Sequence, residues 1–546
     1  MGYRVADAIV DSMMAHGADR GFSVPGESFL ALLDALYARR DFDLVTCRHE
    51  GSAALAAIAD AKLTGRPGIV MASRGPGAFN AAIGVHVASE EAIPMILLIG
   101  QVDTPNLGRG AVQEIDSSRA FSGLLKWSGR IDRPEAAMEV MGRAFAAAVS
   151  GTPGPVAVEL PEDILTLDLE QRPARVHGHA IPEAGPDDVE RVHELLSSAT
   201  RPILVVGGEC RTAAFRRDLQ ALVDLWDLPV ALTNKNQDQF SNLDPHWVGQ
   251  LGFFTSPAHT ALFSEADLLI ALGSRMGDVS SLGFAFPRQG LNAQRLVHVY
   301  PDPGAIGRHF QTALPIVSSS HGFVRAALQH AKPITASAAW LQRAAEATNR
   351  AHGWQPKNVA AGDVMGHTVM ALSRLARRDA ILTTDSGNFA SWVHRIFKMT
   401  PENRLLGSAC GAMGTGVPAG VAACLRFPGR EVLAFVGDGG FLMNGNELIT
   451  AVDRQLNLRV VVSNNRSYGT IRTHQQRHFP GRVSGTDLAN PNFARLAEAF
   501  GARGFRIETA EEAPGVVEQA MAVEGPIVIE VCSDPDMSVD RSLTWD

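Results

Sequence analysis

Residues 432–465 read VLAFVGDGGFLMNGNELITAVDRQLNLRVVVSNN. The apolar runs at 432–436 and 458–462 predict two strands with a helix between them, an alternation that is typical of a parallel sheet. Asp438 and Asn465 are therefore expected just past the carboxyl ends of two parallel strands. Such ends are where open α/β sheets bind their ligands, so this stretch predicts both a fold class and a site.

The polar residues of this stretch suit a metal ion that is bound together with a phosphate. The carboxylate of Asp438 and the amide oxygen of Asn465 are hard oxygen ligands of the kind that Mg²⁺ prefers. The glycines around the carboxylate, Gly437, Gly439 and Gly440, let the backbone approach a diphosphate closely. We therefore predict a site for Mg²⁺ and a diphosphate here.

A second informative stretch lies near the amino terminus. Residues 48–54 read RHEGSAA and lead into an alanine-rich segment, 53–63, that predicts a helix. An apolar run at 68–72 predicts the next strand, and the glycine-rich sequence GPGAFN follows at 75–80. The same alternation of strand and helix is thus predicted near both ends of the chain.

The two stretches together resemble one enzyme family. The GDG motif around Asp438, followed by the asparagine pair that ends at Asn465, is similar to the thiamine-diphosphate-binding signature. Residues 49–101 resemble the pyrimidine-binding domain of acetolactate synthases, benzaldehyde lyases and pyruvate oxidases. The resemblance covers essentially the whole chain, and it implies thiamine diphosphate and Mg²⁺ as cofactors.

The predicted architecture is α/β, with three doubly wound parallel-sheet domains. Strands and helices alternate in each third of the chain, and polar stretches at 168–187 and 331–358 read as linkers. In the order that the resemblance implies, the domains are a pyrimidine-binding domain at 1–167, a central Rossmann-like domain at 188–330 and a diphosphate-binding domain at 358–546.

The resemblance assigns cofactor-binding roles residue by residue. Glu50 corresponds to the glutamate that touches N1′ of the aminopyrimidine ring, and Met413 to the apolar wedge between the two rings. The carbonyl of Gly411 corresponds to the partner of the 4′-amino group, and the backbone carbonyl of Ser467 to the third metal ligand. The other residues that are expected to contact the cofactor are Gly387, Asn388, Gly437, Asp438, Gly439, Gly440, Asn465, Tyr468, Gly469 and Thr470.

Three residues of the first third are candidates for substrate chemistry. Glu27 is expected to be either a proton relay or the first-turn residue of the helix predicted at 29–39. Arg74 is expected to bind a substrate carboxylate, to pair with Glu27, or to face solvent. Gln113 matches a glutamine that the synthases hold near the cofactor, which makes it a catalytic candidate.

The segment after Asn465 departs from the pattern of acetolactate synthase. The positions of Thr470 and His474 resemble those of a Met and a Trp in acetolactate synthases. That Trp helps to choose the second oxo acid, so the acceptor preference stays open. His474 is either an added acid–base group or a structural histidine, and Ile471 is expected to shape the substrate pocket.

The resemblance predicts a thiamine-diphosphate- and Mg²⁺-dependent decarboxylase/carboligase that acts on a 2-oxo acid in the manner of acetolactate synthase. The alternative is a lyase that cleaves a 2-hydroxy ketone or a 2-hydroxyacyl derivative. A non-catalytic binder would not need Glu50. A Rossmann-type dehydrogenase would need a clean GxGxxG after a strand, and the sequence has none.

The central third leaves the binding of a nucleotide open. Segments 207–208, 273–275 and 302–303 partly resemble the FAD-binding pattern of some relatives. Residues 253–255 read Phe-Phe-Thr where the synthases have Met-His-Gly. FAD, another nucleotide such as ADP, or neither is expected there.

Net charge and cysteine spacing limit the classes of ligand and the cellular compartment that are expected for the protein. The net charge of −9 and the lack of a basic run argue against nucleic acid, and no apolar run approaches the length of a membrane span. The five cysteines are scattered, which argues against a zinc pattern or a disulfide framework and favours a reducing cytoplasm. The resemblance implies a small-molecule substrate and a homodimer or homotetramer with active sites at the subunit interface.

Overall fold

Three six-stranded parallel sheets make up the fold, and every strand pairing that the structure describes is parallel. This confirms the predicted α/β class with three doubly wound sheets. Phe254 and parts of both predicted linkers and of the predicted third domain lie outside the described residues. The computed structural model describes residues 2–170, 173–174, 176, 178–253, 255–290, 293–335, 337–352 and 363–534.

The first sheet is built from residues 20–161. Its strands are β1 (Arg20–Ser23), β2 (Asp43–Thr46), β3 (Gly68–Ser73), β4 (Met95–Gln101), β5 (Trp127–Arg130) and β6 (Pro155–Pro161). Their order across the sheet is β2-β1-β3-β4-β6-β5. The order of the strands reverses between β1 and β3, and the loops that follow two such strands flank the usual ligand crevice of an α/β sheet.

Helices cover this first sheet. They are α1 (Val5–Ala15), α2 (Leu30–Tyr37), α3 (Glu50–Thr64), α4 (Arg74–Asn80), α5 (Ala82–Glu91), α6 (Ser117–Ala120), α7 (Ala137–Val149) and α8 (Glu162–Leu165), with a 3₁₀ turn at Glu27–Phe29. Helix α3 is buried on all sides from Gly51 to Ala61. Its small side chains, mostly alanine, allow neighbouring elements to pack closely around it, which fixes the position of its first residue.

The second sheet has the strands β7 (Pro202–Val206), β8 (Val230–Thr233), β9 (Trp247–Leu251), β10 (Leu268–Leu272), β11 (Arg295–Tyr300) and β12 (Leu314–Val317). Their order is β12-β11-β10-β7-β8-β9, so the reversal lies between β7 and β10. The accompanying helices are α9 (Pro186–Ser197), α10 (Ala213–Trp226), α11 (Pro257–Glu265), α12 (Ser320–His330) and α13 (Ala338–His352).

The third sheet repeats the strand order of the first. Its strands are β13 (Ile381–Thr384), β14 (Arg404–Gly407), β15 (Val432–Gly437), β16 (Leu458–Asn464), β17 (Arg503–Ile507) and β18 (Ile527–Cys532). The order is β14-β13-β15-β16-β18-β17, with the reversal between β13 and β15. Its helices are α14 (Val364–Leu375), α15 (Ala390–Ile396), α16 (Gly416–Arg426), α17 (Asp438–Asn444), α18 (Leu448–Asp453), α19 (Gly469–His478), α20 (Phe493–Phe500) and α21 (Ala513–Met521).

The chain divides into two compact units. The first unit takes residues 1–180, 410–429 and 440–458, and the second takes residues 181–409, 430–439 and 459–546. The first unit therefore holds the first sheet together with α16 and α18, and the second unit holds the second sheet. The predicted domain boundaries stay a prediction.

The helices are of ordinary length for α/β proteins. The longest among the described residues, α3 and α13, have 15 residues each. No helix in the described ranges combines the length and the apolar character that crossing a membrane requires.

Candidate active site

The predicted metal ligands follow two strands of the third sheet. Asp438 comes directly after β15 and is the first residue of α17, and Asn465 comes directly after β16. Gly437 ends β15 and Gly440 lies in α17. The single helix predicted between the strands is in fact two, because a 3₁₀ turn that begins at Gly445 separates α17 from α18. A helix therefore starts at the carboxylate itself.

Asp438 is a buried carboxylate that is held by amide donors. It is 3% exposed, its Oδ1 accepts from the backbone N–H of Gly439 at 2.9 Å, and its Oδ2 accepts from Nδ2 of Asn490 at 2.8 Å. Burial raises the pKa of Asp438, and these hydrogen bonds oppose the rise. It forms no ion pair with any described residue. A buried carboxylate without a cationic partner is costly, so a bound Mg²⁺ fits this position.

The turn after β16 presents two more oxygen atoms. Oδ1 of Asn465 accepts from the backbone N–H of Ser467 at 3.1 Å, and the carbonyl of Ser467 accepts from the N–H of Gly469 at 2.8 Å. Ser467 is buried and forms an antiparallel bridge with Asp487. Each of these oxygens has a second lone pair, so both can bind a metal ion while the turn keeps its hydrogen bonds.

Asn388 joins the loop at 385–389 to helix α19. Its Oδ1 accepts from Oγ1 of Thr470 at 3.0 Å, and its Nδ2 donates to Oγ1 of Thr473 at 3.1 Å. Both threonines belong to α19, whereas Asn388 follows Gly387 in the loop at 385–389 between β13 and α15. The loop and the start of α19 therefore form one hydrogen-bonded surface.

Close approaches on this surface require glycine at two positions. A Cβ on Gly439 would lie 2.5 Å from Cε1 of Tyr468, and a Cβ on Gly469 would lie 2.6 Å from Nδ2 of Asn465. Any larger residue at either position would displace a side chain of the predicted site. Glycine at both positions therefore lets Tyr468 and Asn465 pack directly against the backbone.

Residues outside the predicted motifs support the carboxylate of Asp438. Nδ2 of Asn490 donates both to Asp438 and to Oδ1 of Asn464, the latter at 2.9 Å. Asn464 donates in turn to Oε1 of Glu530 at 2.7 Å, and Glu530 is fully buried. In the sequence, Asn490 is noticeable only as part of the turn dipeptide Asn490-Pro491. That dipeptide predicts a turn but does not indicate what the asparagine contacts.

Glu50 is the first residue of α3 and follows β2. His49 caps the helix, because its Nδ1 accepts from the backbone N–H of Gly51 at 3.0 Å. Oε2 of Glu50 accepts from Nδ2 of Asn80 at 2.9 Å, and the glutamate is half-buried. The helix therefore fixes the backbone of Glu50, and Asn80 fixes the direction of its carboxylate.

A second glutamate, Glu447, holds the segment that leads into α3. Glu447 is 1% exposed, its Oε1 accepts from the backbone N–H of Arg48 at 2.7 Å, and its Oε2 accepts from Oγ1 of Thr450 at 2.7 Å. Sequence reasoning missed Glu447, because the chain separates it widely from Arg48.

The segment of Met413 is a tight turn in the first unit. Gly411 and Gly414 adopt left-handed φ angles of +89° and +78°, and Met413 between them is half-buried. The carbonyl of Gly414 accepts from Nδ2 of Asn444 at 3.1 Å, and Oδ1 of Asn444 accepts from Oγ of Ser52 at 3.0 Å. Since Ser52 belongs to α3, the Met413 turn is tied to the helix that carries the candidate glutamate.

The candidate substrate residues of the first unit follow the carboxyl ends of β1, β3 and β4. Glu27 is exposed and begins the 3₁₀ turn. Arg74 donates to Oε2 of Glu162 at 2.9 Å. The expected pairing of Arg74 with Glu27 is therefore not formed, because Glu162 takes the guanidinium. Gln113 is exposed with a φ of +65°, and its carbonyl accepts from the N–H of Gly75 at 2.9 Å.

The remaining candidates lie on α19. Ile471 is 53% exposed, as a residue that contacts a substrate would be before binding. His474 is also exposed, and its ring stacks on that of His478 with 6.2 Å between centroids. Their predicted roles stay predictions.

Two of the three predicted nucleotide segments, 207–208 and 273–275, meet where the second sheet reverses. The backbone N–H of Glu209, after β7, donates to the carbonyl of Gly273, after β10, at 3.3 Å. The carboxylate of Glu209 accepts from the N–H of Ser320 at 2.9 Å and so occupies the N-terminus of α12. Arg211 donates to Oδ1 of Asn236 nearby. A phosphate in this crevice would therefore be attracted by Arg211 and repelled by Glu209.

The candidate residues divide between the two units. In the first unit lie Glu27, Glu50, Arg74, Gln113, Gly411, Met413 and Gly440. In the second unit lie Gly387, Asn388, Gly437, Asp438, Gly439, Asn465, Ser467, Tyr468, Gly469, Thr470, Ile471 and His474.

Sequence models of one family match all three sheets. The model described as the thiamine pyrophosphate enzyme, N-terminal TPP binding domain, matches residues 3–120. The central domain of the same family matches residues 189–327, and its C-terminal TPP binding domain matches residues 385–531. The N- and C-terminal matches contain the residues around Glu50 and Asp438 described above.

Relatives along nearly the whole chain are similar to this protein. It is 32% identical over 539 residues to the acetolactate synthase isozyme 2 large subunit of Escherichia coli, which covers 97% of this chain and 95% of that protein. It is 32% identical over 544 residues to the acetolactate synthase large subunit of Parasynechococcus marenigrum, with 96% and 87% covered. It is 30% identical over 550 residues to a probable acetolactate synthase large subunit of Methanocaldococcus jannaschii, with 97% and 92% covered.

Proposed function

We propose that this chain decarboxylates a 2-oxo acid and joins the remaining acyl unit to a second carbonyl compound, from the premise that it belongs to the thiamine pyrophosphate enzyme family. Within the family it is an acetolactate-synthase-like, thiamine-diphosphate-dependent enzyme that forms carbon–carbon bonds. Mg²⁺, the identity of the substrates and the roles of individual residues are the finer parts of the proposal.

The observation that carries the proposal is the environment of Asp438. A carboxylate that is 3% exposed and oriented by Asn490 follows β15, and two oxygens that can each take one more partner, from Asn465 and Ser467, follow the neighbouring strand β16. Three oxygen atoms of this kind suit Mg²⁺, which binds through few protein ligands and completes its shell with phosphate and water. We assign Asp438, Asn465 and the carbonyl of Ser467 as the metal ligands.

Thiamine diphosphate, when bound, supplies a carbon nucleophile and accepts the electron pair left by the departing carboxylate. Glu50 would hold the proton that is exchanged with the aminopyrimidine ring, at a carboxylate whose direction Asn80 sets. Met413 would support the bent cofactor, and the carbonyl of Gly411 would accept from its amino group.

The proposed contact with the 2-oxo acid is Arg74. Its guanidinium is held by Glu162, and their side chains are 18% and 33% exposed. A substrate carboxylate can replace Glu162 as the partner, because an arginine recognises any carboxylate with the same pair of N–H groups. The exposed carboxylate of Glu27 would relay a proton, and Gln113 would contribute a neutral polar contact.

A lyase that cleaves a 2-hydroxy ketone or 2-hydroxyacyl derivative is the second candidate. The observation that favours it is the polar character of α19 at the positions where the synthases have a Met and a Trp. The hydroxyl of Thr470 donates to Asn388, and the ring of His474 stacks on His478. An apolar surface for the second oxo acid is missing at these two positions.

The assembly, compartment and nucleotide content are parts of the same proposal. We propose a homodimer or homotetramer with active sites formed between subunits, as the family resemblance implies, and a cytoplasmic location, which the scattered cysteines favour. A nucleotide in the central crevice would direct its phosphates toward Arg211, since Glu209 occupies the N-terminus of α12.

The first experiment is a mass-spectrometric and absorbance scan of the purified, denatured protein, followed by incubation with thiamine diphosphate, Mg²⁺ and pyruvate. Acetolactate and carbon dioxide are the expected products. Bound thiamine diphosphate without turnover of pyruvate, but with cleavage of a 2-hydroxy ketone, would favour the lyase. A flavin band would assign FAD to the central crevice, and failure of the protein to bind thiamine diphosphate would refute the proposal.

A further inference from the structure

A run of seven polar residues, 233–239, is buried at the carboxyl end of β8, beginning with the last residue of the strand. Polar side chains are seldom buried in succession, and each needs hydrogen-bond partners. Lys235, within this run, is 4% exposed and has a left-handed φ of +60°. Burying an ammonium group costs free energy, and so does placing a residue other than glycine in the left-handed region of φ. These costs indicate that Lys235 has a specific role in the structure or function of the protein.

The ammonium group of Lys235 contacts the two sides of one loop. Nζ donates to Oγ1 of Thr384 at 2.6 Å and to the carbonyl of Asp385 at 3.4 Å, and it lies 3.2 Å from Nε2 of His394. Thr384 ends β13, the loop at 385–389 follows, and His394 belongs to α15 on the far side of the loop. One ammonium group thus links the strand before the loop with the helix after it.

Two neighbours make this contact possible. A Cβ on Gly407 would lie 3.0 Å from Cδ of Lys235, so glycine leaves the room through which the lysine stem passes. Burial and, after it, the charge of Lys235 lower the pKa of His394 well below its ordinary value. The ring of His394 is therefore neutral, and its Nε2 can accept a hydrogen bond from the ammonium group.

We propose that Lys235 is a positioning residue for the cofactor: it holds the loop at 385–389 in the conformation in which Gly387 and Asn388 meet the diphosphate. The inference rests on the proposed function of that loop. Asn388 is also bound to Thr470 on α19, so the loop is fixed at its ends by the lysine and in its middle by α19. The lysine comes from the second sheet, whereas the loop belongs to the third.

The test compares substitutions on both sides of the contact in the purified full-length protein. Lys235→Met removes the ammonium group and keeps an unbranched stem, and Thr384→Val removes its nearest acceptor with little change of shape. Lys398→Met is the matched control, since its ammonium group lies over the ring of Trp247 at 5.1 Å from the centroid. The measurements are the Kd of thiamine diphosphate in excess MgCl₂, by calorimetry, and the KM values for thiamine diphosphate and for pyruvate.

We expect Lys235→Met to weaken thiamine diphosphate binding about 10- to 100-fold, as the loss of a charged hydrogen bond would. Thr384→Val weakens it about tenfold, and the double variant is no weaker than Lys235→Met, because both changes remove the same contact. The KM for thiamine diphosphate rises in parallel while the KM for pyruvate stays within about twofold, which a general loss of structure would not produce. Lys398→Met keeps the cofactor affinity of the wild type.

Wild-type cofactor affinity in Lys235→Met, additive effects in the double variant, or an equal loss in Lys398→Met would overturn the inference. If Lys235→Met does not fold, Thr384→Val decides alone, and wild-type affinity in that variant overturns the inference. A wild-type protein that binds no thiamine diphosphate would refute the proposed function instead, so the two failures are distinguishable.

Discussion

Replacement of Asn490 by leucine tests how the candidate metal ligand Asp438 is oriented. Nδ2 of Asn490 donates to Asp438 at 2.8 Å and to Asn464 at 2.9 Å. Oδ1 of Asn490 is buried and has no hydrogen-bond partner among the described residues. Asn490→Leu keeps the number and branching of the side-chain heavy atoms, and it deletes two donated hydrogen bonds and no accepted one.

The size of the effect follows from the two deleted bonds. A hydrogen bond to a carboxylate contributes about 1.5–3 kcal/mol. The acceptor left behind on Asn464, which is 7% exposed, destabilises the folded protein by about 1–3 kcal/mol. Only the hydrogen bond from Asn490 to Asp438 orients the carboxylate, so only the loss of that bond is expected to weaken metal binding. We therefore expect Asn490→Leu to weaken Mg²⁺ binding in the presence of thiamine diphosphate by about 10- to 100-fold.

The assay is a calorimetric titration of Mg²⁺ into the full-length protein after chelation, at saturating thiamine diphosphate. Asn492→Ala is the matched control from the same loop. Asn492 caps α20 by accepting from the N–H of Arg495 at 2.8 Å, so its loss costs about 1 kcal/mol of stability without removing a contact to Asp438. If Asn490→Leu binds Mg²⁺ as the wild type does, or loses no more affinity than Asn492→Ala, the reasoning is refuted.

Four further substitutions test the other candidates. Glu50→Gln keeps cofactor affinity but lowers turnover by about 10²–10⁴-fold, because an amide cannot exchange the proton; wild-type turnover would remove Glu50 from the mechanism. Asp438→Ala abolishes Mg²⁺-dependent binding of thiamine diphosphate in calorimetry, and normal affinity would contradict the metal assignment. Glu27→Gln changes the product ratio, measured by chromatography, more than cofactor affinity, whereas identical products would favour the helix-start role. Burial opposes charge on His246, but hydrogen bonds to two aspartates outweigh burial and raise its pKa above 6.5. Its stabilisation is thus full below that pH and lost as pH rises through the raised value, so His246→Asn lowers the melting temperature more at about pH 6 than at about pH 9; an equal loss at both would exclude this linkage.

The sequence predicts the ligands of the candidate site better than it predicts their supports. Asp438 and Asn465 could be placed because each directly follows an apolar strand, and strand ends share one edge of a parallel sheet. Asn490 and Glu447 could not be placed in this way. Their contacts join residues that are distant in the chain, and only the folded path of the chain decides which residues meet.

Position at a sheet edge explains which strands lack a clear apolar run in the sequence. Apolar runs mark most inner strands, whereas β2, β5, β9, β14 and β17 have shorter or more polar sequences. All five lie at sheet edges. Strands β5 and β17 are also only partly buried, so selection for a continuous apolar run is weak there. The pairing of Arg74 with Glu27, one of three alternatives left open for this arginine, is not formed, because Glu162 after β6 binds the guanidinium and the sequence does not indicate this partner.

The first and third sheets share one strand order, so their strands alone do not distinguish what they do. The difference lies in the loops beside each reversal. In the third sheet, the segments after β13, β15 and β16 carry the residues proposed to bind the diphosphate and the metal. Lys235 and Asn490 hold these loops from outside the motif. If these contacts set the geometry of the ligands, a chain can keep every motif residue and still lose cofactor affinity through a supporting residue alone, and the Lys235 and Asn490 variants measure how large that loss is.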